Sequence, residues 1–187
     1  MRAVPVFFAT TEGQTRRITE YLVLALHQRG LDAEAIDLAS PQAASVDWTR
    51  VQGALLGASL HFGKHQKEAR AFVRANRDQL NARPTAFFSV SLAIASSNPA
   101  DVEAARKIAR DFADELGWRP SPVVCLAGRL AYTKYGWLTR LIMRRISARE
   151  GGPTDTSRDW ELTRWGEVDH LADEMAARIR GSAALAS

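Results

Sequence analysis

Six consecutive residues near the N-terminus, Thr10-Thr11-Glu12-Gly13-Gln14-Thr15, join three hydroxyls and one glycine directly after an apolar run. Hydroxyls donate readily to phosphate oxygens, and glycine lets the backbone come close to a ligand. A helical pattern follows. The first N–H groups of a helix have no partner within it, and the helix dipole favours negative charge there. The stretch therefore reads as a phosphate site at a strand-to-helix turn. No Gly-Lys-Ser/Thr closes it, so it is not a nucleoside-triphosphate loop, and it lacks the three spaced glycines of a dinucleotide fingerprint. A plain helix cap with threonines in its first turn is the alternative reading. Glu12 opposes a phosphate unless its carboxylate points to solvent.

Two further stretches carry polar or flat side chains after apolar runs. One is Ser59-Leu60-His61-Phe62-Gly63, followed by Lys64 and His65; the other is Ser89-Val90-Ser91-Leu92-Ala93. His61 and His65 lie four apart, but no third ligand is near, so they are not read as a metal site. Single acids such as Asp37, Asp47 and Asp155 read as caps or turns. Cys125 sits in Val123-Val124-Cys125-Leu126-Ala127 and reads as a buried structural thiol; with one cysteine, an intramolecular disulfide and any multi-cysteine metal site are excluded. Neither a Ser-His-Asp set nor a carboxylate pair suggests itself.

To position these residues, strands are expected at 3–9, 33–38, 51–58, 85–91 and 123–127. The helices between them are expected at about 13–29, 66–80 and 100–116. Ile18, Tyr21, Leu22, Ala25 and Leu26 form the apolar stripe of the first helix; Ala69, Phe72, Val73 and Leu80 that of the second. Val102, Ala105, Ile108, Ala109, Phe112 and Leu116 mark the third, which Gly117 stops, and Trp118 is expected in the core. Apolar strands alternating with helices imply an α/β fold with a parallel sheet covered on both faces. Five strands with an anion loop after the first suit the doubly wound order 2-1-3-4-5. The loops after strands one, three and four then converge at the carboxyl edge and form a cradle for a planar ring bearing a phosphate.

The chain's 187 residues fit one domain over 1–180, with an extension at 129–165 and a disordered tail at 181–187. It opens on a strand and not on a signal peptide, and no apolar run reaches the length of a membrane span. A reducing cytoplasmic setting is expected. The net charge is +4, and seven basic residues fall between Arg119 and Arg149 without one acid. Such a segment suits a polyanionic partner: nucleic acid, an acidic membrane surface or a carboxylate-bearing substrate. Within it, Trp137, Leu138, Leu141, Ile142 and Ile146 recur at roughly helical spacing, with Arg140 and Arg144 expected on the far side and Arg145 and Arg149 inside the apolar arc.

Five motifs, F-A-T-T-E-G-Q-T (8–15), G-A-S-L-H-F-G-K-H (57–65), F-F-S-V-S-L-A (87–93), G-W-R-P (117–120) and G-G-P-T-D-T (151–156), follow one another in this order. In order and spacing they resemble the flavodoxin-like, quinone-dependent protoporphyrinogen IX dehydrogenases of bacterial haem biosynthesis, over about residues 3–180. The first loop alone resembles any flavodoxin; the second motif and the extension are more specific. The resemblance implies FMN as the redox group, held by Thr10 to Thr15, Ser59 to Gly63 and Ser89 to Ala93. It further implies electron transfer from protoporphyrinogen IX to a membrane quinone at the inner face of the cell membrane. Arg129, Tyr132, Lys134, Trp137, Arg140, Arg144 and Arg145 are assigned to substrate or membrane contact. No nucleic acid is expected, and a homo-oligomer stays open. The alternatives are a flavodoxin-fold quinone reductase or electron carrier with another donor, and a non-catalytic binding module.

Overall fold

The computed structural model describes residues 3–134, 136–149 and 151–185, without the side chains of Lys134, Leu138, Thr139, Arg140, Ile142, Ile146 and Arg149. Strand β1 (Ala3–Ala9) is buried continuously from Val4 to Ala9, as a strand covered on both faces must be. It pairs in parallel with β2 (Asp32–Asp37) and with β3 (Ala54–His61); β3 pairs in parallel with β5 (Thr85–Ser91), and β5 with β6 (Val123–Ala127). The sheet order β2-β1-β3-β5-β6 is the expected 2-1-3-4-5 once β4 (Lys64–His65) is set aside. That short strand folds back antiparallel on β3 through Leu60↔His65 and His61↔Lys64.

Period-2 alternation sends neighbouring residues to opposite cores. Val4, Val6, Leu55 and Phe88 face α1 (Gln14–Gln28) and α5 (Trp165–Leu185), meeting Ile18, Leu22, Leu171 and Met175. Phe7, Leu56 and Phe87 face the other way, toward α2 (Lys67–Asn81) and α3 (Pro99–Glu115), meeting Phe72, Val73 and Phe112. Trp118 closes that second core at 1% exposure and donates from Nε1 to Thr85 Oγ1 at 3.1 Å. Gly57 is forced by packing: a Cβ there would lie 2.1 Å from the Phe88 ring.

Several boundaries differ from those expected. The third strand begins at Ala54, Val51 making only an isolated bridge to Ala3, and it runs on through Ser59–His61 because β4 supplies partners there. Helix α5 continues through Gly181 to Leu185, so the tail expected from 181 is corrected over those residues. The extension holds β7 (Arg129–Leu130), paired antiparallel with β8 (Trp160–Glu161), and α4 (Trp137–Arg149) between them.

Candidate functional site

Because the strands run parallel, the loops after β1, β3 and β5 leave the sheet at one edge. The register Ala9↔Ala58, Ser59↔Val90 and Ser91↔Ala127 brings them together. After β1 the chain turns through Gly13, whose φ of 91° lies in the left-handed region that a side chain disfavours. Gly13 N–H donates to Thr10 Oγ1 at 3.0 Å, so Thr10 shapes the turn. No side chain caps α1. Thr15, in its first turn, is fully buried, yet its Oγ1 has no hydrogen-bond partner among the described residues. An uncapped helix start with a buried, unpartnered hydroxyl fits an anion, since buried polar groups are normally paired.

Two other loop residues are engaged elsewhere. Thr11 Oγ1 accepts from Gln66 Nε2 at 3.2 Å, and Gln66 also donates to Ser59 Oγ, tying the first loop to the end of β3. Gln14 Nε2 donates to Glu161 Oε1 and Thr163 Oγ1, both at 2.9 Å, and Arg17 pairs with Glu161 at 2.6 Å. The extension thus docks directly on the start of α1. Between them lies a cavity of about 70 Å³ lined by Glu12, Gly13, Gln14, Arg17, Arg129 and Ala131. Gln66, Glu161 and Thr163 carry no signal in the sequence; the last two lie more than 140 positions from Gln14.

A cavity of about 490 Å³ opens beside this site. Its walls include Leu60, Phe62 and Gly63 after β3 and Ser91, Leu92 and Ala93 after β5; α3 adds Ala104 and Ile108, and the extension adds Met143 and Pro153. Its size and mostly apolar walls suit a small-molecule site. Phe62 (φ 48°) and Gly63 (φ 75°) form the two-residue tip between β3 and β4, where positive φ at both positions matches strand twist. Phe62 is fully exposed there. An aromatic residue held in that region is strained, a feature that clusters at ligand clamps.

The structure separates the remaining assigned residues. Ser89 and Val90 do not line the cavity: Ser89 faces His65 and Val90 packs into the α1–α5 core. His61 is partly exposed on the hairpin and also lies off the lining. Tyr132, assigned to contact with substrate or membrane, is fully buried and donates to Pro153 O at 2.9 Å. Its role is to hold the turn that follows α4, together with the Gly152 N–H to Ser147 O bond at 2.8 Å. Arg129 lies at the phosphate loop, paired with Asp159, and not on an outer face. Trp137, Arg144 and Arg145 are exposed on α4. Arg144 follows Trp137 and Leu141 at i+7 and i+3, so it shares their side of the helix, contrary to expectation. The assignments to the Lys134 and Arg140 side chains fall outside the described residues. Asp37, Asp47 and Asp155 accept from backbone N–H groups two residues on, as turn and cap residues do.

His65 illustrates a core histidine. Its Nε2 lies 2.9 Å from Ser89 Oγ and its ring packs edge-on against Phe87 and Phe112. Burial pulls its pKa down from 6.5 to about 4. The unfolded chain therefore binds the extra proton first, and stability complete above about pH 6.5 is lost as the pH falls toward 4. A shift of that size corresponds to roughly 3 kcal/mol. Urea unfolding should show stability falling between about pH 7 and pH 5, and His65→Gln should flatten most of that slope. Asp47, Asp155, Asp159 and Asp173, all lowered from 3.8 by hydrogen bonds or arginines, titrate below this window. Cys125 is partly buried, and burial pushes its thiol up to about 11, which leaves it unreactive.

A parallel sheet in this order, with a glycine turn leading into a helix after its first strand and a cavity at its carboxyl edge, defines a flavodoxin-like α/β protein. The family model described as Flavodoxin domain matches residues 5–157. Over 174 residues the chain is 32% identical to the protoporphyrinogen IX dehydrogenase (quinone) of Escherichia coli, spanning 91% of this chain and 93% of that one. A protein of the same name from Leishmania major is 28% identical, over 92% of this chain and 74% of its own. A flavodoxin variant from Pseudomonas aeruginosa superposes with a TM-score of 0.55 over 95% of this chain and 99% of that one, at 14% identity. The chain belongs to the flavodoxin domain family, in the branch that contains the quinone-dependent protoporphyrinogen IX dehydrogenases.

Proposed function

We propose that this protein is an FMN-dependent protoporphyrinogen IX dehydrogenase that delivers electrons to a membrane quinone. What carries the reading is the uncapped start of α1, with its unpartnered Thr15 hydroxyl, beside an apolar cavity at the carboxyl edge of the sheet. The family relationship over nearly the whole chain supports it. Thr15 and the backbone N–H groups that open α1 would hold the phosphate. Leu60 to Gly63 and Ser91 to Ala93 would border the ring, while Ser89 and Val90 support that wall from the cores beneath.

FMN supplies the redox chemistry, the transfer of electrons from porphyrinogen to quinone. The protein's residues bind, orient and exclude water. Ile108, Met143 and Pro153 offer an apolar wall to a macrocycle. Asp101 lies on the same wall, where its carboxylate can accept from pyrrole N–H groups. No helix among the described residues is long and apolar enough to cross a membrane. The acid-free basic segment of the extension supports contact with anionic lipid on the inner face of the cell membrane, from which quinone would reach the cavity.

The test is anaerobic oxidation of protoporphyrinogen IX by purified protein with and without a quinone. Yellow protein with releasable FMN and quinone-dependent turnover is expected. Quinone reduction without porphyrinogen oxidation would instead identify a quinone reductase or electron carrier. Colourless protein that takes up no FMN would leave only a binding module.

A further inference from the structure

The 70 Å³ cavity between the phosphate loop and the extension holds two guanidinium groups. Arg17 is paired with Glu161 at 2.6 Å. Arg129 is paired through Nη2 with Asp159, whose other oxygen accepts from Thr133 N–H and Oγ1 at 2.8 Å each. Arg129 Nε is buried and has no partner among the described residues. A guanidinium carries five donors and accepts nothing, so a buried free N–H beside an anion site needs an acceptor. Gly13 and Gln14, at the start of α1, also line it, and Thr15, next in the chain though not in the lining, carries a second unpartnered donor. The acids nearby are Glu12 on the cavity wall and the two carboxylates already paired with Arg17 and Arg129.

We propose that Arg129 is a ligand of the cofactor's phosphomonoester, supplied by the extension and absent from the phosphate loop itself. The proposal rests on the reading of the protein as an FMN enzyme. Asp159 holds the guanidinium in place without using all its donors, and a phosphate oxygen completes its set. The arginine then makes the site selective for FMN over riboflavin, which has the same ring but no phosphate. It also couples cofactor binding to the seating of β7 and β8, because the residue that meets the phosphate belongs to that small sheet.

Apo-protein titrated with FMN and with riboflavin, following flavin fluorescence, provides the test. Arg129→Gln leaves Asp159 partly buried and unpaired, so the double variant Arg129→Gln/Asp159→Asn, which removes both charges, is measured alongside it. In both variants FMN affinity is expected to fall about tenfold while riboflavin affinity stays at the parent value. The salt dependence of FMN binding should also weaken. Equal losses for FMN and riboflavin in the double variant would show that Arg129 only braces the extension, and an unchanged FMN affinity would show that it does not reach the phosphate. Either result overturns the proposal. Parent protein that binds neither flavin overturns the FMN reading itself, a distinct outcome.

Discussion

Thr15→Val should lower FMN affinity ten- to a hundredfold and cost the ligand-free fold nothing. The hydroxyl is fully buried in the first turn of α1 and bonds to no group among the described residues. Removing it breaks no internal hydrogen bond, and valine keeps the branched shape that the surrounding packing accepts. Toward a phosphate the balance reverses. A hydrogen bond to a charged group contributes about 1.5–3 kcal/mol, and each 1.4 kcal/mol is tenfold in affinity. Thr15→Ser restores the donor and should recover most of the binding. Thr19 is the matched comparison, also fully buried with an unpartnered Oγ1 but one helical turn further from the loop. Thr19→Val should leave FMN affinity at the parent level. Equal effects of the two substitutions on FMN would mean that the α1 start is a helix cap and nothing more.

The framework was legible because its signals are long. Buried runs such as Val4–Ala9 and Thr85–Ser91 have no solvent-facing side, and helices α1 to α3 each show an apolar stripe at helical spacing. The last helix carries the same kind of signal, with Val168, Leu171, Ala172, Met175, Ala176 and Ile179 all buried, yet no helix was expected there. Two-residue strands are different. β4, β7 and β8 are too short to show any period, and only the partner strand makes them strands.

The site divides in the same way. Thr15 and Gly13 were readable because a loop entering a helix imposes local chemistry. Gln66 and Glu161 were not, because what assigns them is proximity created by folding. Tyr132 and Arg129 show the limit of composition. Aromatic and basic residues in one extension look alike in sequence, yet one is sealed beneath Pro153 and the other reaches the loop after β1. Ser89 shows the limit of spacing: it shares a face of β5 with Ser91 but lies two residues further back, where His65 covers it and the cavity that Ser91 lines does not extend.

Replacing Arg144 and Arg145 by glutamine and Trp137 by serine should abolish binding to anionic vesicles at physiological salt while FMN stays bound. On α4, Trp137, Leu141, Arg144 and Ala148 follow at i, i+4, i+7 and i+11, so they share one side of the helix, with Arg145 next to them. All five are exposed, Trp137 at 79% and Leu141 at 52%. Met143 and Ser147, on another side of the same helix, line the large cavity. One helix therefore presents an apolar, positively charged face outward and a cavity wall inward. Tryptophan and leucine between arginines suit the bilayer interface, where the rings sit at headgroup level and long cationic side chains reach the phosphates. Each arginine near an anionic surface contributes about 1 kcal/mol, so losing two weakens binding by roughly thirtyfold before the tryptophan is counted. Flotation with neutral vesicles and with vesicles containing anionic lipid separates the contributions. The parent should float only with the anionic vesicles and should release as added salt shortens the screening length below about 8 Å. Turnover with quinone dissolved in the bilayer should fall in parallel with binding. A triple variant that floats and turns over like the parent would remove α4 from the membrane surface and leave it as a wall of the cavity alone.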